Sequence, residues 1–387
     1  MSTVQVATEG KAVADKAGFA HFMLKEIFEN GRAVRDTVLD RISRDTRKIT
    51  LEGMKITPEE FRALKKINII ASGTSRHAGL AGRIMIKELA GVPVDVDHAS
   101  EFEYSDPMTG PNELTILITQ SGETADTIGA LHEARRKGSK TLAISNVVGA
   151  TITREADAVI YTHAGAEIAI ASTKAYTAQL AALFLFSVYL GEVRGALSPE
   201  QARKHIDELL AIPEKIDEVL KHNQACEDIA ERNFLANDFL FLARGVHFPI
   251  ALDGALKLKE TSYIHAEGYP AGEVKHGPYA LIDATMPVVF LAAKDDSDAG
   301  SVLRYEKTIQ NMKDVRERLG RVIAVATEGD TEVEKITNQV VFVPKAPELL
   351  LPLLEIVPLQ LMAYHIACRR GVNVDNPRNL VKSVTVE

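Results

Sequence analysis

The 387-residue sequence is poor in three things, and each absence closes off a class of function. Cysteine is scarce: Cys226 and Cys368 lie far apart and lack metal-ligand spacing. That argues against a disulfide framework or a cysteine metal cluster and for two structural thiols in a reducing compartment. Basic charge is not in excess, since 45 Lys and Arg stand against 53 Asp and Glu, a formal net charge of −8. No basic stripe is present, so nucleic acid is not the expected partner. Long apolar runs are missing as well. The most apolar stretch, Ala178 to Leu190, is short and mixed for a bilayer span. The opening Met-Ser-Thr-Val-Gln has neither the basic nor the apolar region of a secretion signal. The expectation is a cytoplasmic protein with no membrane partner. What is present, 46% hydrophobic and 25% charged residues, is the composition of a globular chain long enough for two domains.

The most informative stretch is Thr119-Gln120-Ser121-Gly122-Glu123-Thr124-Ala125-Asp126-Thr127. It follows an apolar run, Leu114 to Ile118, that reads as a buried strand. It precedes a helical pattern, Ala125 to Lys137, with Ile128, Leu131 and Ala134 on one face and Gly138 as the stop. Strand, hydroxyl-rich turn and helix together make an anion cradle. The helix N-terminus offers free N–H groups and a favourable dipole. Thr119, Ser121, Thr124, Thr127 and Gln120 add neutral donors, and no Lys or Arg sits in the turn. One such hydroxyl would be an ordinary N-cap. This density points to a phosphate monoester held mainly by hydrogen bonds.

A second strand–turn–helix unit lies upstream: Ile67 to Ala71, Ser72-Gly73-Thr74-Ser75, and a helix from about His77 to Leu89. Further strands read at Val94–Val96, Thr141–Ile144 and Ala158–Tyr161. Ala171-Ser172-Thr173 opens a long helix, with Ser172 as its N-cap, a ligand contact, or both. The alternation predicts a doubly wound α/β parallel sheet, with ligands at the carboxyl edge of its strands. After a connector the pattern restarts: Phe239–Ala243, a helix opened by Pro249, Met286–Ala292, a helix over Val302–Leu319, Val322–Val325 and Val340–Val343. The predicted organisation is a helical arm over 1–45, its first 17 residues ordered only in part, a first domain over 46–195, a connector over 196–225, a second domain over 226–370 and an ordered tail over 371–387. In the second half, the turn matching the cradle carries Asp295, Asp296 and Asp298, which would repel a phosphate. One phosphate site per chain is expected, in the first half.

The second half supplies other groups. Lys257 and Glu260, three apart, share a helical face, as many solvated ion pairs do. The stretch Ser262 to Glu273 holds too much Gly and Pro to continue that helix. It leads to Lys275-His276-Gly277-Pro278, where a histidine in a shaped loop can serve as general acid or base. A helix from about Leu353 to Arg370 is apolar on most faces and should be buried. The tail beyond it, Asn376 to Glu387, reads as anchored, and Lys382 near its end could place an amine over a site. A partly desolvated lysine has a lowered pKa and can form a Schiff base with a carbonyl.

These segments resemble a known family. Gln120-Ser121-Gly122-Glu123-Thr124, Ala171-Ser172-Thr173-Lys174-Ala175, Gly254 to Glu260, Lys275-His276-Gly277-Pro278, Pro377-Arg378-Asn379-Leu380 and Lys382 to Glu387 are similar to the isomerase half of glutamine–fructose-6-phosphate aminotransferase (glucosamine-6-phosphate synthase). The resemblance runs from Gly18 to Glu387. It implies two tandem sugar-isomerase (SIS) domains of flavodoxin-like form, with an arm and an ordered tail. It implies a sugar-phosphate site at Ser72, Gly73, Thr74, Ser75, Thr119, Gln120, Ser121 and Thr124, with Ser172 and Val381 also on the substrate. Glu260 would move the proton between C1 and C2. His276 would open the ring from the neighbouring subunit of a homodimer. Lys382 would be the Schiff-base or ring-opening lysine, and Lys257 a cation beside an enolate-like intermediate. Turning a ketose phosphate into a 2-amino aldose needs ring opening, imine formation with ammonia and proton abstraction beside C=N. None of these steps needs a metal or redox cofactor. The family usually has Cys, Ser, Val and Ala where this chain has Ser72, Thr119, Ile170 and Val381, and Thr119 adds a methyl to the cradle. The family's glutaminase domain, with its N-terminal Cys nucleophile, has no match in this sequence, which would then be either the isomerase portion of a longer protein or a stand-alone form, with ammonia supplied by that glutaminase domain or externally.

Two other functions are compatible with the scaffold. One is a glucosamine-6-phosphate deaminase running the reverse chemistry. The other is a non-catalytic hexose-phosphate sensor, against which stand the lack of a basic helix-turn-helix and the presence of Glu260, His276 and Lys382.

Overall fold

The computed structural model describes residues 15–51 and 54–385. The first residues of the expected arm (1–14) and the tail's Val386-Glu387 lie outside the described residues. In chain order come α1 (Phe22–Phe28), α2 (Asn30–Val38), β1 (Lys66–Ala71), α3 (Gly73–Ala90), β2 (Val94–His98), β3 (Glu113–Thr119), α4 (Ala125–Arg136), β4 (Lys140–Ser145), β5 (Ala158–Tyr161) and α5 (Lys174–Arg194). Three helices follow, α6 (Pro199–Leu210), α7 (Ile212–Leu220) and α8 (Asn223–Asn233). The second half holds β6 (Asp238–Ala243), α9 (Phe248–Ser262), β7 (His265–Pro270), β8 (Pro287–Ala292), α10 (Ala299–Glu317), β9 (Arg321–Thr327), β10 (Val340–Val343) and α11 (Leu351–Arg369). Short helical turns fill several connections.

The strands form two five-stranded sheets, ordered β2-β1-β3-β4-β5 and β10-β9-β8-β6-β7, with every pair parallel. Read from its first strand, the second sheet repeats the order of the first. Each switches direction between its first and third strands, β1 and β3 or β6 and β8. At such a switch point the two flanking loops diverge and leave a crevice at the carboxyl edge. The central strands are buried on both faces, which is why they read as largely apolar runs such as Val288-Val289-Phe290-Leu291-Ala292.

A single core joins the halves. It runs from Ile67, Ile69 and Ile116 through Tyr176, Leu183 and Phe184 of α5 to Phe241, Leu354 and Ile356 of the second half. Each fully buried Leu or Phe there contributes roughly 1.5–3 kcal/mol. Separate clusters cover the far face of each sheet. Helix α5 and the segment Glu348–Arg369 are long and apolar enough to cross a membrane, so α5 exceeds the short stretch read from the sequence. They are 83% and 94% buried within the protein over their most apolar windows, which marks them as core helices.

Several expectations need correcting. Helix α3 begins at Gly73, not near His77, so Thr74 and Ser75 lie in its first turn. Thr173, not Ser172, occupies the N-cap of α5. Residues 196–225, read as a connector, are largely the helices α6 and α7 and the start of α8. The Gly/Pro-rich stretch after α9 contains a strand, β7, at the edge of its sheet. An edge strand tolerates a terminal proline. Gly268 lets it lie against α9, where a Cβ would come within 2.9 Å of the Leu252 Cα.

Candidate active site

Two first-half turns meet at the switch point. Between β1 and α3, Ser72 is extended and Gly73 enters the helix with φ +52°, a left-handed conformation that glycine adopts without penalty. Between β3 and α4, Gly122 is required twice over. Its φ is +72°, and a Cβ there would fall 2.4 Å from the Ala150 Cβ. The turn is held by its own hydroxyls. Thr119 Oγ1 and Thr124 Oγ1 are 3.0 Å apart, Gly122 N–H donates to Thr119 Oγ1 at 3.3 Å, and Glu123 N–H donates to Ser121 Oγ at 3.2 Å. Thr127, in the first turn of α4, has a buried hydroxyl with no hydrogen-bond partner among the described residues. A buried unpaired hydroxyl beside a helix N-terminus is a place for an acceptor oxygen.

The second half reaches into this crevice through α9. Lys257 is fully buried, and its Nζ donates to Glu260 Oε2 at 2.6 Å and to Thr74 Oγ1 at 2.9 Å. The pair is therefore not a solvated surface bridge. Burial works against the lysine's charge, yet Glu260 and Asp253 outweigh it and hold the ammonium above the ordinary lysine range. One turn earlier, Asp253 Oδ1 meets His77 Nδ1 of α3 at 3.1 Å. Two polar contacts thus cross-link α3 and α9.

The tail closes the third side. Ser383 Oγ is 3.0 Å from Ser121 Oγ, and the Ala125 N–H donates to the Val384 carbonyl at 3.2 Å. Further back, the Arg378 N–H donates to Tyr263 Oη at 2.7 Å, with the guanidinium over that ring. Lys382 Nζ donates to Glu167 Oε2 at 2.6 Å and to the Ala169 carbonyl at 2.7 Å. The lysine is 26% exposed, so it is partly withdrawn from solvent. It is ion-paired. Burial opposes the charge of Glu167, but Lys382 and the N–H groups of Thr173 and Ala175 outweigh it, so its carboxyl sits below the ordinary range.

One cavity of about 180 Å³ gathers most of the expected residues. Ser72, Thr74 and Ser75 line it from the first turn, and Thr119, Gln120, Ser121 and Thr124 from the second. Ser172, Glu260, Val381 and Lys382 line it as well, with Ile170 beside them. Gly73 shapes the backbone, and Lys257 reaches Thr74 and Glu260 from α9. His276 is not among the lining residues; it is exposed on the turn Glu273–His276. Reasoning from sequence missed Glu167, Leu380 and Ser383 as lining residues. Glu167 left a faint trace, a single acid in the small and apolar run Ala164-Gly165-Ala166-Glu167-Ile168-Ala169.

Two other places in the fold lack this combination of groups. A cavity of about 610 Å³, lined in part by Asp238, His265 and Arg321, opens at the amino edge of the second sheet, away from every expected site residue. In the second half, the start of α10 is capped by Asp298, whose Oδ1 accepts from the Gly300 N–H at 2.9 Å, and Arg304 ties Asp298 to Glu348. A carboxylate already occupies the position a phosphate would need.

Residues 60–189 and 235–369 each match the SIS domain model. Over 373 residues, 96% of its length, the chain is 49% identical to the glutamine–fructose-6-phosphate aminotransferase (isomerizing) of Chlorobaculum tepidum. It is 48% identical over 374 residues, 97% of its length, to that of Thermus thermophilus. The chain spans only 59% and 60% of these two relatives. The C-terminal domain of glucosamine-fructose-6-phosphate aminotransferase from Francisella tularensis superposes with a TM-score of 0.87 at 38% identity, over 94% of this chain and 100% of that one. The chain belongs to the SIS-domain family, as a tandem pair matching the isomerase part of the glucosamine-fructose-6-phosphate aminotransferases.

Proposed function

We propose that the cavity binds fructose 6-phosphate and that this chain converts it to glucosamine 6-phosphate when ammonia is supplied from outside the chain. The phosphate lies on the hydroxyls of the two first-half turns and the N-terminus of α4. Lys382 meets the carbonyl end. Its amine condenses with the C2 carbonyl with loss of water, and ammonia then adds at C2 and displaces the lysine amine to leave the free imine. Glu260 then takes a proton from C1 and returns one to C2, giving a 2-amino aldose with no net oxidation. Lys257, paired with Glu260, supplies positive charge where the enolate-like intermediate forms. His276, exposed in its own chain, acts as ring-opening acid in the site of a second copy, within a homodimer. Without ammonia, the same proton transfer interconverts fructose 6-phosphate and glucose 6-phosphate. We expect this chemistry in the cytoplasm.

One observation supports the reading above all others. Glu260 of α9 and Lys382 of the tail line the same cavity as the first-half hydroxyls. The test is to incubate the protein with fructose 6-phosphate and ammonium and measure amino-sugar formation, alongside ammonia release from glucosamine 6-phosphate. Amino-sugar formation is the expected result. Faster ammonia release would favour the deaminase, and tight hexose-phosphate binding with no turnover would favour the sensor.

A further inference from the structure

Helix α1 of the N-terminal arm contributes no residue to the lining of the cavity, yet it is bonded to the segment that holds Lys382. Glu26, only 2% exposed, points from α1 into the 167–170 loop. Its Oε1 accepts from the Ile168 N–H at 2.5 Å, and its two oxygens share the Ala169 N–H at 3.4 and 3.3 Å. Ala169 and Glu167 are the residues whose carbonyl and carboxylate grip the lysine amine. The far end of the loop is tied down as well. The Ile170 N–H donates to the Asp375 carbonyl at 3.1 Å, and the Asp375 carboxylate accepts from the Phe22 and Met23 N–H groups at the start of α1. Arm, loop and tail thus form one closed ring of hydrogen bonds, and Lys382 is held from the loop side of that ring.

We propose that Glu26 is a positioning residue for Lys382: from the arm it fixes the loop whose Glu167 carboxylate and Ala169 carbonyl aim the amine at the sugar carbonyl. The inference rests on the assignment of Lys382 above. A displacement of about 1 Å at a reacting group can cost a hundredfold in rate, so a clamp on the loop bears directly on the chemistry. The charged groups around Glu26 are Glu167 of the loop, Lys382 of the tail and Lys174 of α5, the last paired with Glu29. Burial and then Glu167 raise the Glu26 carboxyl to about 7, against the Ile168 hydrogen bond and the two lysines. Near neutral pH the clamp therefore changes charge. Ionised, Glu26 offers two charge-assisted acceptors and holds the loop more firmly.

The test traps the imine. Lys382 Nζ and the C2 carbonyl of fructose 6-phosphate condense with loss of water, and borohydride reduces the C=N bond to a stable secondary amine that mass spectrometry locates. In the wild type we expect sugar on Lys382, with the trapping rate rising through an inflection near pH 7. Glu26→Ala should lower the rate about tenfold or more and leave the affinity for fructose 6-phosphate nearly unchanged, since it does not touch the cradle. Glu26→Gln keeps an acceptor for the Ile168 N–H. It should hold the rate near the wild type's low-pH level, above that of Glu26→Ala, and lose the inflection. If Glu26→Ala fails to fold, the pH profile of Glu26→Gln decides the matter. No sugar on Lys382 in the wild type would overturn the lysine's assignment and the inference with it. Sugar on Lys382 with the same rate and the same pH profile in wild type and variants would overturn the role of Glu26 alone.

Discussion

Lys257 Nζ lies 2.9 Å from Thr74 Oγ1, a contact between residues 183 apart that joins the helix of one half to the Ser72–Ser75 turn of the other. The same amine is 2.6 Å from Glu260 Oε2, and it has no solvent exposure. The crevice is therefore held at one fixed width by a buried cation. The proposed base is attached to the same clamp as the proposed cradle.

Removing that cation should be costly. Lys257→Met leaves Glu260 and Asp253 without their compensating charge, and breaking a buried pair in this way costs about 3–5 kcal/mol. Urea unfolding should show a loss of this size, with part of it recovered in Lys257→Met/Glu260→Gln. A single variant as stable as the wild type would mean the pair is solvated in solution.

The cradle can be probed at Thr124, whose hydroxyl is 3.0 Å from that of Thr119. Thr124→Ala should weaken fructose 6-phosphate binding by about 1 kcal/mol, roughly fivefold, the usual worth of one hydrogen bond. Calorimetry with fructose 6-phosphate and with inorganic phosphate measures it. An unchanged affinity for both would place the phosphate elsewhere.

The proposed base and ring-opening acid differ in location, and that gives a complementation test. Glu260→Gln should lower proton exchange at C1 and C2 by about 10²–10⁴-fold while substrate still binds. His276→Ala should fail at ring opening. If His276 serves a neighbouring copy, mixing the two inactive chains restores part of the activity. Solvent-deuterium incorporation reads both effects, and a mixture as dead as its components would confine each site to one chain.

Stability should decline towards alkaline pH. His247 is buried, 2.7 Å from Glu355 and 3.4 Å from Glu348. Burial opposes its charge, but the two carboxylates outweigh it and raise its pKa from 6.5 to about 9. The stabilisation is whole below about 6.5 and disappears as pH climbs through about 9, up to about 3 kcal/mol. His247→Gln should be less stable at pH 6 and flatter between pH 6.5 and 9 in a denaturant series. A wild-type profile already flat over that range would show that His247 does not carry the charge.

The residues alone determined the local units. A parallel strand covered on both faces must be largely apolar, so β1, β3, β6 and β8 could be read as runs, and a hydroxyl-rich turn between strand and helix pointed to the proposed cradle. β7 escaped notice because an edge strand of polar and small residues (His265, Glu267, Gly268) carries no such run. Tertiary structure alone decided the rest. A carboxylate's role depends on what lies across from it in space, and neither the meeting of Glu167 with Lys382, 215 residues away, nor that of Glu26 with Ile168, 142 residues away, leaves a mark on local pattern. Charge acts through distance and burial, and only folding sets those two quantities.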